Sequence, residues 1–269
     1  MICFPNCKIN LGLFITEKRS DGYHNLETVF YPVPLCDILE VVEGKKNEFT
    51  TSGLAIPGNS ESNLCIRAYD ILSKKYNLPP VKIHLHKTIP AGAGLGGGSS
   101  DAAFMLKLLN DYFSLDIKKQ ELLETASALG SDCAFFVDNK PIFATNKGDR
   151  FENIPLHMDG CFLVIVKPGD IHISTPDAFS LVKPSKASYD LNTINSKEIH
   201  KWKNFVANDF EEIIFSKFPV IKSIKETLYS KGAIYAAMSG SGSAVYGIFN
   251  HTVNLNETFP GNFVWQGNL

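Results

Sequence analysis

Apolar and polar positions alternate with period two near the start of the chain: Ile9, Leu11, Leu13 and Ile15 fall on one side, Asn10, Gly12, Phe14 and Thr16 on the other. Successive strand side chains point to opposite faces, so this pattern predicts a strand with one face more apolar. Ser20-Asp21-Gly22 supplies turn chemistry, and residues 23–33 continue as an extended segment. Another strand is predicted over residues 38–42. The period changes near Asn63, where Leu64, Ala68, Ile71 and Leu72 share a helical face with Ser62 or Asn63 as cap. A strand at 81–86 leads into a glycine-rich run. A helix follows from about Asp101 to Tyr112, then a second over 118–129 closed by Gly130. Asn146-Lys147-Gly148-Asp149 reads as a hairpin turn.

Residues 151–160 are rich in turn formers and divide the chain into expected domains 1–150 and 151–269. Beyond them, 161–166 reads as a short buried strand. Helical patterns cover 202–215 and 220–231, the latter ended by Gly232, and strands at 233–238 and 244–249 flank a second glycine turn. No internal repeat or low-complexity tract interrupts this order. It predicts an α+β protein, sheets with helices on one face, in two sub-domains.

Composition narrows the partners. With 44% hydrophobic and 20% charged residues among 269, the chain can bury a core and is not natively disordered. The net charge is −2 and the pI about 6.4, and lysines are interleaved with acids, as in Lys222, Lys225 and Glu226. A nucleic-acid binder needs a dense basic stripe to neutralise phosphates, so no nucleic-acid partner is expected. A phosphate-bearing small molecule stays open, because backbone amides bind anions without net positive charge. Asn6, Lys8 and Asn10 break the apolar run that a secretory signal needs, and no stretch is long enough to cross a bilayer. A cytoplasmic protein with no membrane partner is expected. The six cysteines form no Cys-x-x-Cys pair and read as buried free thiols. His84 and His86 share a strand face and could begin a metal site, but no carboxylate or cysteine cluster accompanies them.

The chemistry concentrates in Ile89-Pro90-Ala91-Gly92-Ala93-Gly94-Leu95-Gly96-Gly97-Gly98-Ser99-Ser100-Asp101. So many glycines are costly in entropy. The density makes sense where successive N–H groups must line one concavity at the start of a helix, whose dipole favours an anion. A plain turn or linker is the alternative, but linkers do not normally join a strand to a patterned apolar helix. Gly92-x-Gly94-x-x-Gly97 also fits the dinucleotide fingerprint of nicotinamide-dependent oxidoreductases, yet no second strand ending in an acid follows about 20 residues on. A Walker loop would need Lys where Gly98 stands, and the His-Arg-Asp and Asp-Phe-Gly elements of protein kinases are absent.

Pro90, Gly94-Leu95-Gly96 and Ser99-Ser100, with Met238-Ser239-Gly240-Ser241-Gly242-Ser243 near the C-terminus, resemble the two glycine motifs of the GHMP small-molecule kinases. Ser243 departs from the proline many members carry. Pro5-x-x-Lys8-Ile9-Asn10-Leu11, Arg19-x-Asp21-Gly22-Tyr23-His24, Leu129-Gly130-Ser131-Asp132 and Asn208-Asp209-Phe210-Glu211 are similar to the branch acting on an alcohol that carries a cytidine diphosphate group. The matches span residues 5–249. The resemblance implies the two-domain GHMP kinase fold with the active site in the inter-domain cleft, and ATP-dependent phosphorylation in the non-mevalonate route to isoprenoid precursors.

It also implies roles. Pro90, Ala91, Gly92, Ala93, Gly94, Leu95, Gly96, Gly97, Gly98, Ser99 and Ser100 would bind ATP. Lys8 and Asp132 would be catalytic, the aspartate as base and the lysine favouring the alkoxide. On pattern alone, Asp132 could equally cap a turn, and a strand lysine such as Lys8 usually reaches solvent. Asn10, Tyr23, His24, Phe179, Ser239, Gly240, Ser241 and Gly242 would bind the substrate, the base lying between Tyr23 and Phe179 with His24 reading it. Phe179 could instead be plain core. Mg²⁺ is expected with ATP, but its protein ligands are not assignable from sequence. Retention of Lys8 and Asp132 argues against a nucleotide-sensing pseudokinase.

Overall fold

The computed structural model describes residues 1–59, 62–169 and 171–269. Packing groups them into two compact units that interleave along the chain. Met1–Cys7, Leu35–Ala91 and Gly96–Lys140 form the first; Lys8–Pro34, Gly92–Leu95 and Pro141–Leu269 form the second.

The first unit holds a four-stranded sheet in the order β1 (Ile2–Cys3), β4 (Ile38–Glu43), β6 (Val81–Lys87), β5 (Glu48–Gly53). β4 and β6 are antiparallel, with Leu39 opposite Leu85 and Val41 opposite Ile83, all four buried. β5 runs parallel to β6. Its polar, exposed sequence gave no strand signal; pairing with β6 makes it one. His84 and His86 lie on the outer face, where Ser52 Oγ meets both rings at 2.9 Å and Thr50 Oγ1 meets His84 at 2.8 Å. These imidazoles belong to a hydroxyl ladder. Among the described residues, no group of three or more His, Cys, Asp or Glu could hold a metal ion.

Four helices complete this unit: α1 (Leu64–Tyr76), α2 (Gly97–Tyr112), α3 (Lys119–Leu129) and α4 (Phe135–Asp138). Asn63 caps α1 by accepting from Cys65 N at 2.9 Å, as its sequence predicts. The central helix, α2, packs on α1, α3 and α4 and starts four residues earlier than its apolar pattern indicates. Glycine disfavours a helix by about 1 kcal/mol against alanine. At Gly97 packing overrides that preference, because a Cβ there would sit 2.8 Å from the Ile89 side chain.

The second unit carries two sheets. One runs β2 (Asn6–Lys18), β3 (His24–Cys36), β7 (Ile142–Thr145), β8 (Arg150–Asn153), and the predicted turn at 146–149 joins its last two strands. The other runs β10 (Tyr235–Met238), β11 (Val245–Phe249), β9 (Phe162–Lys167), β12 (Phe263–Asn268), antiparallel throughout. β2 is buried on both faces from Cys7 to Ile15, not on one. Leu191 and Val206 cover the second face so closely that a Cβ at Gly12 would come within 2.6 Å of Leu191. Helices α5 (Thr175–Leu181), α6 (Glu211–Lys217) and α7 (Pro219–Ser230) pack with these sheets around a core that includes Val164, Phe210, Ile221, Leu228 and Val245.

The helix predicted over 202–215 is not continuous. A 3-10 turn covers Ile199–Asn204, and α6 begins only at Glu211. Between them the backbone pairs with β2: Leu13 N donates to Ala207 O at 2.8 Å and Asp209 N to Leu13 O at 2.9 Å. The apolar spacing there follows burial of Trp202, Val206 and Phe210, not helical periodicity. All six cysteines are free, and among the described residues no helix is long and apolar enough to cross a membrane.

Leu228 on α7 is fully buried against β10 and β11. Truncation to alanine is expected to cost about 2–5 kcal/mol of unfolding free energy, measured by urea denaturation. A loss under half a kcal/mol would mean the helix does not form this core.

Candidate active site

The glycine run begins where β6 ends. Gly92, Gly94 and Gly96 all adopt positive φ, which explains three of its glycines directly. Within the second unit, three consecutive loop carbonyls are anchored. Ala93 O accepts from Ala244 N at 3.1 Å, Gly94 O from Ser239 Oγ at 2.8 Å, and Leu95 O from Lys8 N at 2.9 Å. A trans peptide points its C=O and the following N–H in opposite directions. The amides of Gly94, Leu95 and Gly96 therefore face away from the groups holding those carbonyls. Gly94 has no room for a side chain, since a Cβ would lie 1.9 Å from Ser239 O. Ala93 and Leu95 are buried pins between the glycines.

Downstream, Gly96 occupies the N-cap of α2 in left-handed geometry with no side-chain cap, so the helix presents its first N–H groups uncapped by a side chain. A Cβ at Gly98 would meet nothing within 4 Å, leaving open space over the helix start. Ser99 hydrogen-bonds the Cys133 thiol, which burial pushes up to about 11. Asp132 adds its charge to the same thiol. The first unit thus gathers Ser99 and the half-buried Asp132 around Cys133. Ser100 Oγ is fully buried with no hydrogen-bond partner.

The second glycine turn links β10 to β11, and its serines are not solvent-facing. Ser239 is fully buried; besides its bond to Gly94, its Oγ accepts from Asn10 N at 3.3 Å. Ser241 Oγ lies 3.0 Å from Thr175 Oγ1. Gly240 and Gly242 adopt positive φ. Asn208, which sequence reasoning quoted only as a motif, donates from Nδ2 to Met238 O at 2.8 Å and Gly240 O at 2.9 Å, bracketing Ser239. Glu211 accepts from Met238 N at 2.8 Å and is held by Lys225 at 2.6 Å.

Lys8 is 3% exposed, so it does not reach solvent as strand lysines usually do. Its Nζ donates to Asn10 Oδ1 at 2.6 Å and stands 4.8 Å from the centre of the Phe30 ring. Asn10 in turn donates from Nδ2 to Thr28 Oγ1 at 3.0 Å, and its carbonyl accepts from the Tyr246 hydroxyl at 2.8 Å. This buried polar chain fixes the ammonium. Lys8 belongs to the second unit and Asp132 to the first.

Tyr23 and His24 sit at the end of a turn that Arg19 organises. Asp21 accepts from Arg19 Nε at 3.1 Å and from Tyr23 N at 3.1 Å, and Gly22 takes positive φ. Tyr23 is 59% exposed, with Lys147 Nζ 4.9 Å above its ring. His24 is buried and stacks on Phe179 with centroids 5.2 Å apart, while Phe210 meets Phe179 edge-on at 4.9 Å. Phe179 packs against the core and also stacks on His24. Burial, then the charge of Lys18, holds the His24 pKa below its ordinary value. A neutral imidazole keeps one donor and one acceptor nitrogen.

Sequence reasoning missed a buried ionic cluster in the first unit. Lys87 Nζ pairs with Asp37 Oδ2 and lies 2.7 Å from Asp101 Oδ2. Burial outweighs the lysine's attraction at Asp101, and the Asp37 charge adds to it, so its carboxyl rises from 3.8 to about 7. Asp101 Oδ1 is buried with no hydrogen-bond partner, which disfavours the charged carboxylate. No pattern signals this cluster, because Asp37 and Lys87 lie 50 residues apart.

A glycine loop feeding a helix, a second glycine turn packed on that loop and a buried lysine make up the candidate site. Two family models match, GHMP kinases N terminal domain over residues 63–140 and GHMP kinases C terminal over 193–257. The chain belongs to the GHMP kinase family. It is 53% identical to the 4-diphosphocytidyl-2-C-methyl-D-erythritol kinase of Bacteroides fragilis over 274 residues, and 50% identical to that of Parabacteroides distasonis over 271, covering 100% of each chain in both cases. A solved 4-(cytidine 5'-diphospho)-2C-methyl-D-erythritol kinase superposes with a TM-score of 0.78 at 30% identity, over 92% of this chain and 90% of that one.

Asp101 yields a pH prediction. Between the ordinary value of 3.8 and about 7 the folded state binds more protons than the unfolded one, so stability falls as pH rises through that window. Asp101→Asn removes the titration while keeping an acceptor for Lys87. Melting temperatures at pH 5 and pH 8 are expected to show wild type losing ground to the variant at the higher pH. Parallel curves would place the Asp101 titration elsewhere.

Proposed function

We propose that this chain transfers the γ-phosphoryl group of ATP to the 2-hydroxyl of 4-diphosphocytidyl-2-C-methyl-D-erythritol, a step toward isoprenoid precursors. The observation that carries the reading is the buried Lys8–Asn10 pair on the strand whose Lys8 amide also anchors the glycine loop. The residue that carries this buried ammonium is tied to the loop through its own amide, in a chain half identical over its whole length to kinases of that name.

Phosphoryl transfer needs positioning, compensation of spreading negative charge and a group to receive the hydroxyl proton. In this reading, the amides of Gly94, Leu95 and Gly96 and the start of α2 bind the phosphates, with Pro90, Ala91 and Gly92 leading in. Gly97, Gly98, Ser99 and Ser100 form the first turn beneath. Open space at Gly98 and the uncapped helix start fit an anion of that size. Asp132 accepts the proton of the 2-hydroxyl, and Lys8 lowers the energy of the resulting alkoxide. Asn10 aims Lys8. The turn Ser239, Gly240, Ser241 and Gly242 borders the substrate, held in shape by Asn208 and Thr175. Exposed Tyr23 closes on the cytosine, and His24, neutral and fixed on Phe179, reads its edge.

Mg²⁺ accompanies the nucleotide in this reading, and when bound it supplies charge neutralisation to the phosphate oxygens. The Ser99 hydroxyl, in the first turn of α2, would help hold the ion.

The test is ADP release by the purified protein with ATP, with and without the cytidine diphosphate alcohol, and phosphorus NMR to locate the new phosphate. Release that ignores the alcohol would refute the assignment. Asp132→Asn is expected to lower kcat by roughly 10²–10⁴-fold with ATP binding nearly intact. Near-normal turnover would remove Asp132 from the mechanism. Tyr23→Ala is expected to raise KM for the cytidine substrate about tenfold or more, in line with the worth of aromatic–base stacking, and to leave KM for ATP little changed. Equal effects on both would point to misfolding.

A further inference from the structure

We infer that Asp37 is a positioning residue for the nucleotide loop, fixing through one buried carboxylate both the strand end that leads into the loop and the helix start that leaves it. The inference rests on the reading of residues 92–100 as the ATP loop.

Asp37 is fully buried in the short step between β3 and β4. Its Oδ1 accepts from Thr88 N at 2.6 Å and from Ile89 N at 2.9 Å, the two residues directly ahead of Pro90. Its Oδ2 pairs with Lys87, whose ammonium continues to Asp101 on α2. The Thr88 hydroxyl also donates to Cys36 O, so the strand end is tied to the residue beside Asp37 as well. The two ends then meet. A Cβ at Gly97 would come within 2.8 Å of Ile89 and 3.4 Å of Lys87 Nζ. One carboxylate therefore sets the distance and direction between residues 89 and 97.

A purely structural role would not need this chemistry. Buried ion pairs are poor stabilisers against apolar packing of the same volume, but they fix direction. Here the direction matters because the bound geometry of a phosphate tail tolerates little error; a displacement near 1 Å can cost a hundredfold in rate. Asp37 is fully buried, so its effect passes through the loop.

The experiment measures binding of a non-hydrolysable ATP analogue and KM for both substrates in wild type, Asp37→Ala, Asp37→Asn and the loop variant Gly98→Val. Asp37→Ala leaves two amides without an acceptor and Lys87 with one carboxylate. Its nucleotide Kd is expected to rise about tenfold or more, with KM for the cytidine substrate within about twofold of wild type. Asp37→Asn keeps an oxygen for the two amides and is expected to rise less, about two- to fivefold. If the alanine variant does not fold, the asparagine variant decides alone. Unchanged nucleotide Kd in the Asp37 variants, while Gly98→Val loses binding, overturns the positioning role. So do equal rises for both substrates. Normal nucleotide binding by Gly98→Val sinks the loop reading itself, and this inference falls with it.

Discussion

Three carbonyl oxygens in a row, those of Ala93, Gly94 and Leu95, are each taken by a donor of the second unit, and this turns the loop's amides the other way. Loop glycines alone would give flexibility. Anchored carbonyls convert it into a fixed direction, because a planar peptide cannot rotate one end without the other. The donors come from separate places: the Lys8 amide on β2, the Ser239 hydroxyl in the turn between β10 and β11, and the Ala244 amide just past it. Both sheets of the unit therefore contribute to the loop's shape. Lys8 contributes twice, with its backbone to the loop and its side chain to the polar chain through Asn10 and Thr28.

That anchoring works only if the Ser239 turn is itself rigid, and Asn208-Asp209-Phe210-Glu211 supplies the rigidity. Asn208 holds the carbonyls on either side of Ser239, and its Oδ1 accepts from Phe210 N at 3.0 Å. Asp209 Oδ2 accepts from Ile15 N at 2.7 Å, tying the segment to β2. Phe210 supports Phe179 edge-on, and Phe179 carries His24. Glu211 holds the end of β10 through Met238 N. Four adjacent residues thus brace the turn after β10 and the stack of Phe179 on His24, which explains why a helix could not run through them.

What the sequence made legible follows the range of each signal. Apolar patterning located β4 and β6 by alternation, β9, β10 and β11 as short continuously buried runs, and most of α1, α3 and α7 by a helical face. It misjudged residues 202–215, where apolar spacing mimics a helix but the side chains of Asn208 and Asp209 divert the backbone. The edge strands β5 and β12 carried no readable alternation and exist through pairing with β6 and β9. The glycine loop and its partner turn were legible because positive φ and close backbone approach demand glycine locally. Asp37, Lys87 and Asp101 were not, because a buried ion cluster is a tertiary coincidence of residues far apart in the chain. His24 stood out in its motif, but its stacking on Phe179 did not.

The two buried lysines show how a protein of net charge −2 can hold a polyanion. Lys87 lies between two carboxylates, so its charge is spent within the fold and sets loop geometry instead of attracting a ligand. Lys8 donates to the Asn10 amide oxygen and faces the Phe30 ring, contacts that fix the position of its ammonium. Anion affinity can then come from oriented amides and a helix start, whose partial charges leave the net charge untouched. A net charge of −2 and the proposed phosphate site do not conflict, because they draw on different parts of the chain: side chains for the net charge, backbone for the phosphates.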